Sequence, residues 1–367
     1  MGFSIVAKDK KSKARTGIIK TLSGKVKTPC FIPDATYGAV KHLSILELKK
    51  IGLQMILGNS YHLWLRPGSK VLKKAGGLKK FMNWKGPLLT DSGGWQVFSL
   101  VYKNKMGKVD NAGIEFRDRL SGKAHFFTPQ KCIEIQLGLN PDILMVLDYP
   151  ISPAGTKKDN KLSVKLTTKW AKKSWEIFKK NPKKKGKMLF AIIQGANNRQ
   201  MRKKSFEELE KINSFPGYGF GGPPENKEIL KYTASLIPDN RIRYLMGGGP
   251  PKQIVEAVTM GWDLFDCVVP TRNARHGTIY TFKGKLNLNN NQHKFSQAPI
   301  EKDCPCLACK LYSRSYLHHL LKIKDPLGSR LFTLHNLTFY MRLMTWIRKS
   351  IKSKEYRKVQ AWAEKYY

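Results

Sequence analysis

The sequence predicts an α/β chain whose parallel strands close into a (β/α)8 barrel, and three observations lead to that fold. The chain has 367 residues, enough for one large α/β domain with an appendage. Apolar runs of strand length alternate with segments of helical periodicity, which indicates parallel strands joined by crossover helices. About eight such runs occur, and eight alternating strands at this length fit a closed barrel better than an open sheet.

The elements follow in order along the chain. Residues 16–22 and 25–28, joined by the turn signal Ser23-Gly24, predict an N-terminal β-hairpin. The apolar runs that predict barrel strands are near 31–33 and at 53–57, 87–90, 143–147, 189–193, 218–220, 242–246 and 264–265. Helical spacing is found at about 129–138, 161–180, 200–212, 225–236, 251–260, 310–321 and 336–350.

The clearest predicted helix is 161–180, because apolar residues share one face and lysines fill the other. That face is predicted to consist of Leu162, Leu166, Trp170, Ile177 and Phe178. We expect three regions overall: an N-terminal hairpin region at 1–30 packed on the barrel, a catalytic barrel at 31–287, and a C-terminal region at 288–367 that completes it.

The composition favours a polyanionic partner. Lys and Arg number 67 against 26 Asp and Glu, so the formal net charge is +41, and such an excess attracts nucleic acid. The alternative is compositional bias, because the excess is mostly lysine and runs such as 287–291 are rich in asparagine. No apolar stretch is long enough to span a membrane and no signal peptide is recognisable, so we expect a cytoplasmic protein.

Polar or glycine residues follow most of the predicted strands. In a barrel these positions meet at the C-terminal mouth, where barrel enzymes place their chemistry. The alternative is that polar residues only terminate strands. The residues are Asn59, Asp91, Asp148, Gln194, Gly221-Gly222, Met246-Gly247 and Asp266.

The last of these positions lies in the stretch Asp263–Gly277. Asp266 is a carboxylate inside an apolar run, where an unpaired charge is costly. Arg272, Asn273 and Arg275 follow just beyond the strand. The arrangement suits covalent or acid–base chemistry on an anionic polymer, and equally an Asp–Arg ion pair that closes a barrel strand beside a basic loop.

Three further positions suit recognition of a flat base. Asp148 and Gln194 offer the acceptors and the amide that can read a purine edge, although Asp148 could instead cap a helix or join an ion pair. Gly221-Gly222 would add backbone donors. Trp95, in Asp91-Ser92-Gly93-Gly94-Trp95, could stack on such a ligand or belong to the core.

Three of the six cysteines are clustered. Cys304, Cys306 and Cys309 lie within six residues, and thiolates with an imidazole select Zn²⁺ in tetrahedral geometry. The fourth ligand is open among His318, His319 and His335. With four protein ligands the zinc would be structural, one per chain, and the alternative is a set of reactive or disulfide-forming thiols.

Taken together, these segments resemble one family. The sequence is similar to the tRNA-guanine transglycosylases (queuine tRNA-ribosyltransferases), most closely to the bacterial catalytic type, from Thr28-Pro29 to about Ser350. The motifs that carry the resemblance are Gly58-Asn59-Ser60-Tyr61-His62, Trp84-Lys85-Gly86-Pro87, Asp91-Ser92-Gly93-Gly94-Trp95-Gln96, Ile192-Ile193-Gln194-Gly195, Arg243-Tyr244-Leu245-Met246-Gly247 and the stretch from Asp263 through Arg275.

The resemblance implies a (β/α)8 TIM barrel with a zinc-binding subdomain near the C-terminus, in a homodimer. It implies an enzyme, a pentosyltransferase of queuosine biosynthesis, that exchanges guanine at the wobble position of tRNAs with GUN anticodons for a 7-deazaguanine such as preQ1. The partners are then the tRNA anticodon loop and the free base. Queuine is the alternative incoming base. The alternative function is that of a non-catalytic tRNA-binding paralogue, and the presence of both catalytic acids argues against it. An archaeal-type enzyme is expected to carry a further C-terminal RNA-binding domain.

The resemblance also assigns roles to residues. Asp266 is implied to be the nucleophile that forms a ribosyl-aspartyl intermediate, and Asp91 the general acid/base. Substrate binding is implied for Asp148, Gln194, Gly222, Trp95, Met246 and Tyr244. RNA binding is implied for Arg272, Asn273 and Arg275, and zinc ligation for Cys304, Cys306, Cys309 and His335.

The chain departs from the family pattern at three places near the base site. Pro223-Pro224 follows Gly221-Gly222, and a proline there has no backbone N–H to offer. Tyr149-Pro150 follows Asp148 where the family often has Glu-Cys, and Trp95 stands where Phe or Tyr is usual. These departures leave open whether the incoming base is preQ1, queuine or another 7-deazaguanine.

Overall fold

The centre of the molecule is a ring of nine short parallel strands. It is seen in a computed structural model that describes residues 2–104, 107–118, 121–151 and 155–367. In chain order the strands are β4 (Cys30–Ile32), β5 (Asp34–Ala35), β6 (Ile56–Gly58), β7 (Leu88–Thr90), β11 (Ile143–Met145), β12 (Met188–Ile193), β13 (Gly217–Phe220), β14 (Ile242–Leu245) and β15 (Leu264–Asp266).

The ring closes at its first strand. Around the sheet the order is β4-β15-β14-β13-β12-β11-β7-β6-β5. The two ends of that order, β4 and β5, are separated in the chain only by Pro33, which has no N–H to contribute to a ladder. They occupy one strand position, so the predicted (β/α)8 barrel is confirmed. All six residues of β12 are buried, as expected of a strand covered on both faces.

The N-terminal residues form an antiparallel sheet of three strands. Its strands are β1 (Gly2–Lys8), β2 (Arg15–Thr21) and β3 (Gly24–Thr28). The predicted hairpin corresponds to β2 and β3, which pair from Gly17 opposite Thr28 to Thr21 opposite Gly24. The prediction is therefore confirmed, and β1 adds a further strand.

Helices join the barrel strands and cover them. They are α1 (Ile45–Lys50), α2 (Ser60–Leu63), α3 (Ser69–Lys74), α4 (Leu78–Met82), α5 (Gly94–Asn104), α6 (Pro129–Leu139), α7 (Lys157–Lys180), α8 (Arg199–Ile212), α9 (Lys227–Leu236), α10 (Pro251–Thr259) and α11 (Val269–Arg275). Between α5 and α6 the chain inserts a small antiparallel sheet that the sequence did not predict, made of β8 (Gly107–Val109), β9 (Ile114–Arg117) and β10 (Ala124–Phe127).

The long helix α7 begins earlier than predicted. Thr156 caps it, accepting from the backbone N–H of Asp159 while the Asp159 side chain accepts from the Thr156 N–H. Leu162 is 40% exposed and does not lie on the core face, contrary to the prediction. Leu162 lies at the edge of the apolar face that Leu166 and Trp170 occupy. Val164 is buried instead.

The C-terminal region differs most from its prediction. It consists of β16 (Thr278–Thr281), β17 (Gly284–Asn287), α12 (Leu307–Leu311), α13 (Arg314–Lys322), α14 (Pro326–Lys352) and α15 (Tyr356–Tyr366). The single helix predicted at 310–321 is wrong, because Ser313 accepts from the N–H of Tyr316 and starts a new helix. The helix predicted at 336–350 starts ten residues earlier, where Asp325 caps it and Pro326 takes its first position.

No helix among the described residues is both long enough and apolar enough to cross a lipid bilayer.

Candidate active site and metal site

A cavity of about 510 Å³ opens at the C-terminal ends of the barrel strands. Its lining combines carboxyl groups with Trp95, Met246 and Gly222. The cavity brings together residues from the ends of eight strands that are far apart in the chain. Its polar and glycine lining includes Asp34, Asn59, Asp91, Asp148, Gly222, Tyr244, Gly247 and Asp266.

Asp266 ends β15 and is held by two donors. The hydroxyl of Tyr244 donates to its Oδ1 at 2.7 Å, and the backbone N–H of Gly247 donates to the same oxygen at 3.2 Å. Burial raises the pKa of Asp266, and these two hydrogen bonds oppose that effect. Burial and the neighbouring Asp266 raise the pKa of Tyr244 well above its usual value, so its hydroxyl stays a donor.

The stretch Asp263–Gly277 does form an Asp–Arg ion pair, but its acid is Asp263 and not Asp266. Asp263 accepts from Arg15 at 2.6 Å through Oδ2 and at 2.9 Å through Oδ1, and both side chains are almost completely buried. Among the described residues no ion pair joins Asp266 to an arginine. Asp263 therefore has the structural role, which leaves Asp266 in the cavity wall for another purpose.

Asp91 follows β7 and is fixed by the start of helix α2. The N–H and the hydroxyl of Ser60 donate to its Oδ1 at 2.7 and 3.1 Å, and the Asn59 amide donates to Oδ2 at 2.6 Å. Burial raises the pKa of Asp91 to about 7, opposed by the bonds from Ser60 and assisted by the charges of Asp266 and Asp148. A carboxyl that titrates near neutrality suits general acid–base work.

Asp148 and Gln194 form a buried polar pair. Gln194 Nε2 donates to Asp148 Oδ2 at 3.0 Å, and the hydroxyl of Ser92 donates to Oδ1 at 2.9 Å. Burial raises the pKa of Asp148 to about 6, against the effect of these hydrogen bonds. Asp148 caps no helix, since α7 is capped by Thr156. Gln194 lies beside the main cavity, in the wall of a smaller one of about 80 Å³.

Two glycines make room for the Asp148 and Gln194 side chains. A Cβ on Gly221 would lie 2.5 Å from the Gln194 side chain, and a Cβ on Gly94 would lie 2.8 Å from Asp148 Oδ1. Neither distance is compatible with any larger residue unless the polar pair moves. The Gly-Gly sequences 93–94 and 221–222 therefore admit the carboxyl and the amide to the wall of the site.

The residues with aromatic and thioether side chains flank this polar wall. Trp95 is 51% exposed, so its alternative role as a core residue is wrong. Its ring stacks on Phe98 with centroids 5.9 Å apart and a 30° angle between planes. Met246 is half-buried and lines the same cavity. Trp95, Met246 and Asp148 thus line one cavity.

The three residues predicted to bind RNA, which follow β15, belong to a short helix, α11, rather than to the predicted loop. Arg272 is exposed, and Arg275 donates to the carbonyl oxygen of Thr271 at 2.8 Å. Asn273 donates to the hydroxyl of Tyr280 at 2.8 Å, so its amide is already engaged within the protein. Helix α11 begins directly after Asp266-Cys267-Val268, which places these side chains near the cavity mouth.

Sequence reasoning missed Asp34. This carboxyl lines the cavity next to Asp266, on the strand position that Pro33 divides. The same rule that identified the other strand-end residues could have found it, since an acid follows the apolar run at 31–33. The hydrogen-bonding role of Ser60 at Asp91 was also missed, because it depends on how helix α2 meets β7.

A second cluster, the metal-ligand group of Cys304, Cys306, Cys309 and His335, lies in the C-terminal region. All four are buried, and their ligand atoms lie within 4.8 Å of one another. His335 Nδ1 is 3.2 Å from the sulfur of Cys309 and 3.5 Å from that of Cys306. His335 Nε2 lies 2.9 Å from the carbonyl oxygen of Tyr280.

The geometry of this group fits a metal ion. A proton on Nε2, donated to the Tyr280 carbonyl, leaves Nδ1 free to coordinate, which is the usual arrangement behind a ligating histidine. The group can therefore hold a metal ion, with no position left over for a substrate. Among the three histidines considered, His318 is excluded, because its Nδ1 bonds to the Leu288 carbonyl and it lies outside the group.

Comparison with known proteins identifies the family of the chain. Residues 9–367 match the family profile described as queuine tRNA-ribosyltransferase. The chain is 44% identical over 358 residues to a queuine tRNA-ribosyltransferase of Dictyoglomus turgidum, covering 96% of this chain and 91% of that protein. It is 44% identical over 357 residues to the one of Francisella tularensis subsp. novicida, covering 96% and 95%. The chain therefore belongs to the queuine tRNA-ribosyltransferase family of pentosyltransferases.

Proposed function

We propose that this protein exchanges the guanine at the wobble position of tRNAs with GUN anticodons for a 7-deazaguanine, through a covalent ribosyl-aspartyl intermediate. One observation carries the proposal in a chain of this family. Two half-buried carboxyls on different strand ends, Asp266 and Asp91, line one cavity together with a base-sized recognition wall. Two carboxyls with separate roles are what a retaining glycosyl transfer needs.

Asp266 is the nucleophile in this proposal. Its Oδ1 is engaged by Tyr244 and Gly247, and we assign Oδ2 to attack C1′ of the ribose. The C1′–N9 bond breaks as the C1′–O bond forms, and guanine leaves with the electron pair. The two donors on Oδ1 orient the carboxylate for attack and for its later departure.

Asp91 moves the protons. With a pKa raised to about 7 by burial, it is partly protonated at neutral pH and can protonate the departing guanine. The resulting carboxylate then takes a proton from N9 of the incoming base, whose nitrogen displaces Asp266 from C1′. One N-glycosidic bond replaces another, so the cycle needs no energy source.

The polar pair reads the base. Asp148 can accept from amino and ring N–H groups of guanine, and Gln194 can add its amide. Gly222 offers its backbone at the cavity wall, while Trp95 and Met246 flank the ring. A base that is stacked and read on its edge must first leave the anticodon stack, as single-stranded RNA permits. Arg272, Asn273 and Arg275 are proposed to hold the neighbouring nucleotides.

The preferred incoming base is proposed to be preQ1. Glu225, Gly222 and Pro223 line the small cavity of about 80 Å³ that adjoins the main one. A carboxylate there suits a cationic aminomethyl group, and the small volume suits it better than the cyclopentenediol of queuine. Competition among preQ1, queuine and guanine for the tRNA-bound position tests this. Incorporation of queuine in preference to preQ1 would overturn it.

The metal is proposed to be one structural Zn²⁺ per chain, because three thiolates and one imidazole form a set that selects zinc. Elemental analysis of the purified protein should find one zinc per chain. A Cys306→Ser variant should lose it together with the protection of β16 and β17 against hydrogen exchange. Full protection without bound metal would refute a structural role.

The central test of the function is guanine exchange. Purified protein and an unmodified tRNA with a GUN anticodon should incorporate radiolabelled guanine, and an RNA trapped on the protein under denaturing conditions should report the covalent intermediate. Asp266→Ala should abolish both signals while the variant still binds tRNA. Persistent exchange in that variant would reject the nucleophile assignment, and the absence of exchange in the wild type would favour the non-catalytic paralogue.

A homodimer is proposed as the working form. Large apolar side chains are exposed on and just after α12 and α13: Leu307, Leu311, Tyr316 and Ile323. Apolar groups concentrated next to the metal-ligand group suit burial against a second copy. The mass in solution should be twice that of the chain, and Leu311→Lys should shift it toward the monomer. A wild-type protein that is monomeric at micromolar concentration would contradict this.

A further inference from the structure

Asp34 is a carboxyl in the active-site wall that the proposed mechanism does not use. It lies on β5, and Ile32, two residues before it, is the register partner of Asp266 on the neighbouring strand. On the other side Asp34 pairs with Leu57 of β6. Asp34 therefore flanks the proposed nucleophile on the side opposite to Tyr244, whose strand also adjoins β15.

The side chain of Asp34 is not satisfied within the protein. Its Oδ2 is closed off from solvent and has no hydrogen-bond partner among the described residues. Buried polar atoms without a partner are uncommon, and one in a cavity wall calls for a ligand group that completes it. The terminal torsion of an aspartate is soft, so either oxygen can turn toward a group that enters the cavity.

The neighbourhood favours the neutral form of this carboxyl. Burial raises the pKa of Asp34 well above its usual range, and the carboxyls of Asp266 and Asp91 raise it further. The other titratable groups close to it, Tyr244 and Cys267, carry no positive charge that would offset this. A neutral carboxyl has one O–H donor and one carbonyl acceptor.

The chemistry of an internal nucleotide limits what such a group can meet. The 3′ and 5′ oxygens are esterified to phosphate, so the 2′-hydroxyl is the free hydroxyl of the ribose, and it is attached to the carbon next to C1′. A group beside the residue that attacks C1′ is therefore beside the 2′-hydroxyl. That hydroxyl both donates and accepts, and it is the group by which proteins distinguish RNA from DNA.

We infer that Asp34 binds the 2′-hydroxyl of the reacting nucleotide, donating and accepting one hydrogen bond, and so makes the enzyme specific for ribose at that position. The inference rests on the proposed function, because it takes C1′ attack by Asp266 as given. It adds a residue that recognises the sugar to those that read the base.

The test compares two anticodon stem-loops that differ only in having ribose or 2′-deoxyribose at the target guanosine. Asp34→Val should lower kcat/KM for the ribose substrate by roughly three- to tenfold, the usual worth of a neutral hydrogen bond. The same variant should leave kcat/KM for the deoxyribose substrate within about twofold of the wild type, since that substrate lacks the partner. Asp34→Asn, a neutral isostere with a donor and an acceptor, should keep the preference for ribose.

A base-side variant serves as the matched control. Ser92→Ala removes a hydrogen bond to Asp148, so it should slow both substrates by the same factor. Valine removes a carboxyl that has no partner, so the melting temperature of Asp34→Val should equal or exceed that of the wild type. This separates loss of recognition from loss of folding.

The outcomes distinguish the two proposals. If Asp34→Val slows both substrates equally or neither, or if Asp34→Asn loses the ribose preference as completely as the valine variant, the inference about Asp34 is wrong while the proposed function stands. If the wild-type protein exchanges guanine in neither stem-loop, the proposed function fails.

Discussion

Asp91 illustrates how neighbouring residues adjust one carboxyl. Burial would push its pKa far upward, and the hydrogen bonds from Ser60 bring it back to about 7. These bonds exist because Asn59, at the end of β6, caps helix α2 and presents the first residues of that helix to Asp91. The pKa of the proposed acid/base therefore depends on where a short neighbouring helix begins.

The pH dependence of guanine release should follow this pKa. Release needs protonated Asp91, so kcat/KM should fall as the pH rises through about 7. Ser60→Ala removes a hydrogen bond that lowers the pKa of Asp91. The fall of kcat/KM with rising pH (the falling limb) should therefore move to higher pH. Exchange assays between pH 5 and 9 measure the limb.

Ser92→Ala is the control for that prediction, because its hydroxyl bonds to Asp148 rather than to Asp91. It should reduce the rate without moving the limb to higher pH, because Asp148 acts on Asp91 only through a negative charge that raises the pKa of Asp91, and loss of the Ser92 bond disfavours that charge. A limb that stays in place in Ser60→Ala, or that moves downward, would show that Asp91 is not the group that titrates.

At the scale of elements, helix α14 links the metal-ligand group to helix α11, which follows β15. His335 on this helix belongs to the metal-ligand group, and the next residue, Asn336, is also fully buried. The amide of Asn336 donates to the carbonyl oxygens of Pro270 and Thr278 at 3.0 Å each, and its oxygen accepts from the N–H of Tyr280 at 3.0 Å. One side chain thus joins α11, β16 and α14.

Replacing Asn336 should therefore loosen the structure and slow exchange. Asn336→Leu removes one hydrogen-bond partner from each of three backbone groups, two of them in buried bonds, which should lower the free energy of unfolding by about 2–4 kcal/mol. Helix α11, which carries Arg272, should lose its anchor, so KM for tRNA should rise. Urea unfolding and steady-state kinetics measure the two effects.

Thr338→Val is the matched substitution on the same helix. The Thr338 hydroxyl is buried but donates only to the Leu334 carbonyl within α14, so its loss should cost under about 1 kcal/mol. Equal losses of unfolding free energy in Asn336→Leu and Thr338→Val would show that Asn336 does not anchor α11 and β16 to α14.

At the scale of the whole molecule, a buried ion pair connects the N-terminal sheet to the barrel. Arg15 of β2 reaches Asp263, 248 residues away in the chain. Asp263 also accepts from the backbone N–H of Arg243 at 2.8 Å. The pair lies just before β15, at the opposite end of that strand from Asp266, so it serves folding rather than catalysis.

Breaking that pair should destabilise the protein without changing its chemistry. Asp263→Asn leaves the Arg15 guanidinium without its buried counter-charge and should cost about 3–5 kcal/mol. Asp239→Asn, at the 55% exposed second partner of Arg15, should cost under about 1 kcal/mol. Thermal melting gives both values. An Asp263 variant with wild-type stability but lost kcat would contradict this division of roles.

The charge of the whole chain bears on tRNA binding. With a formal net charge of +41, affinity for an anticodon stem-loop should fall by roughly tenfold or more between 50 and 200 mM salt, as counterion release requires. Binding of the free base should hardly change, because it involves no phosphate. Filter binding and calorimetry measure the two slopes. A salt-independent affinity for the stem-loop would show that the charge excess is compositional.

Local patterns were enough to predict much of this protein. The strands predicted at 143–147 and 189–193 are short apolar runs, and polar residues at their ends identify Asp148 and Gln194. The three cysteines at 304–309 indicate a metal site by spacing alone. The boundaries of the three predicted regions, at 30 and 287, stay a prediction.

What the sequence by itself determined is therefore the barrel and most of the residues that line the cavity at its C-terminal mouth, because periodicity and strand ends are local signals. Only the tertiary structure decided which aspartate is paired and which is available, since Arg15 and Asp263 meet only in the folded chain. It also identified His335 rather than His318 as part of the metal-ligand group without reference to relatives, and placed Asp34 beside Asp266. These relations depend on distances between strands, which no local pattern records.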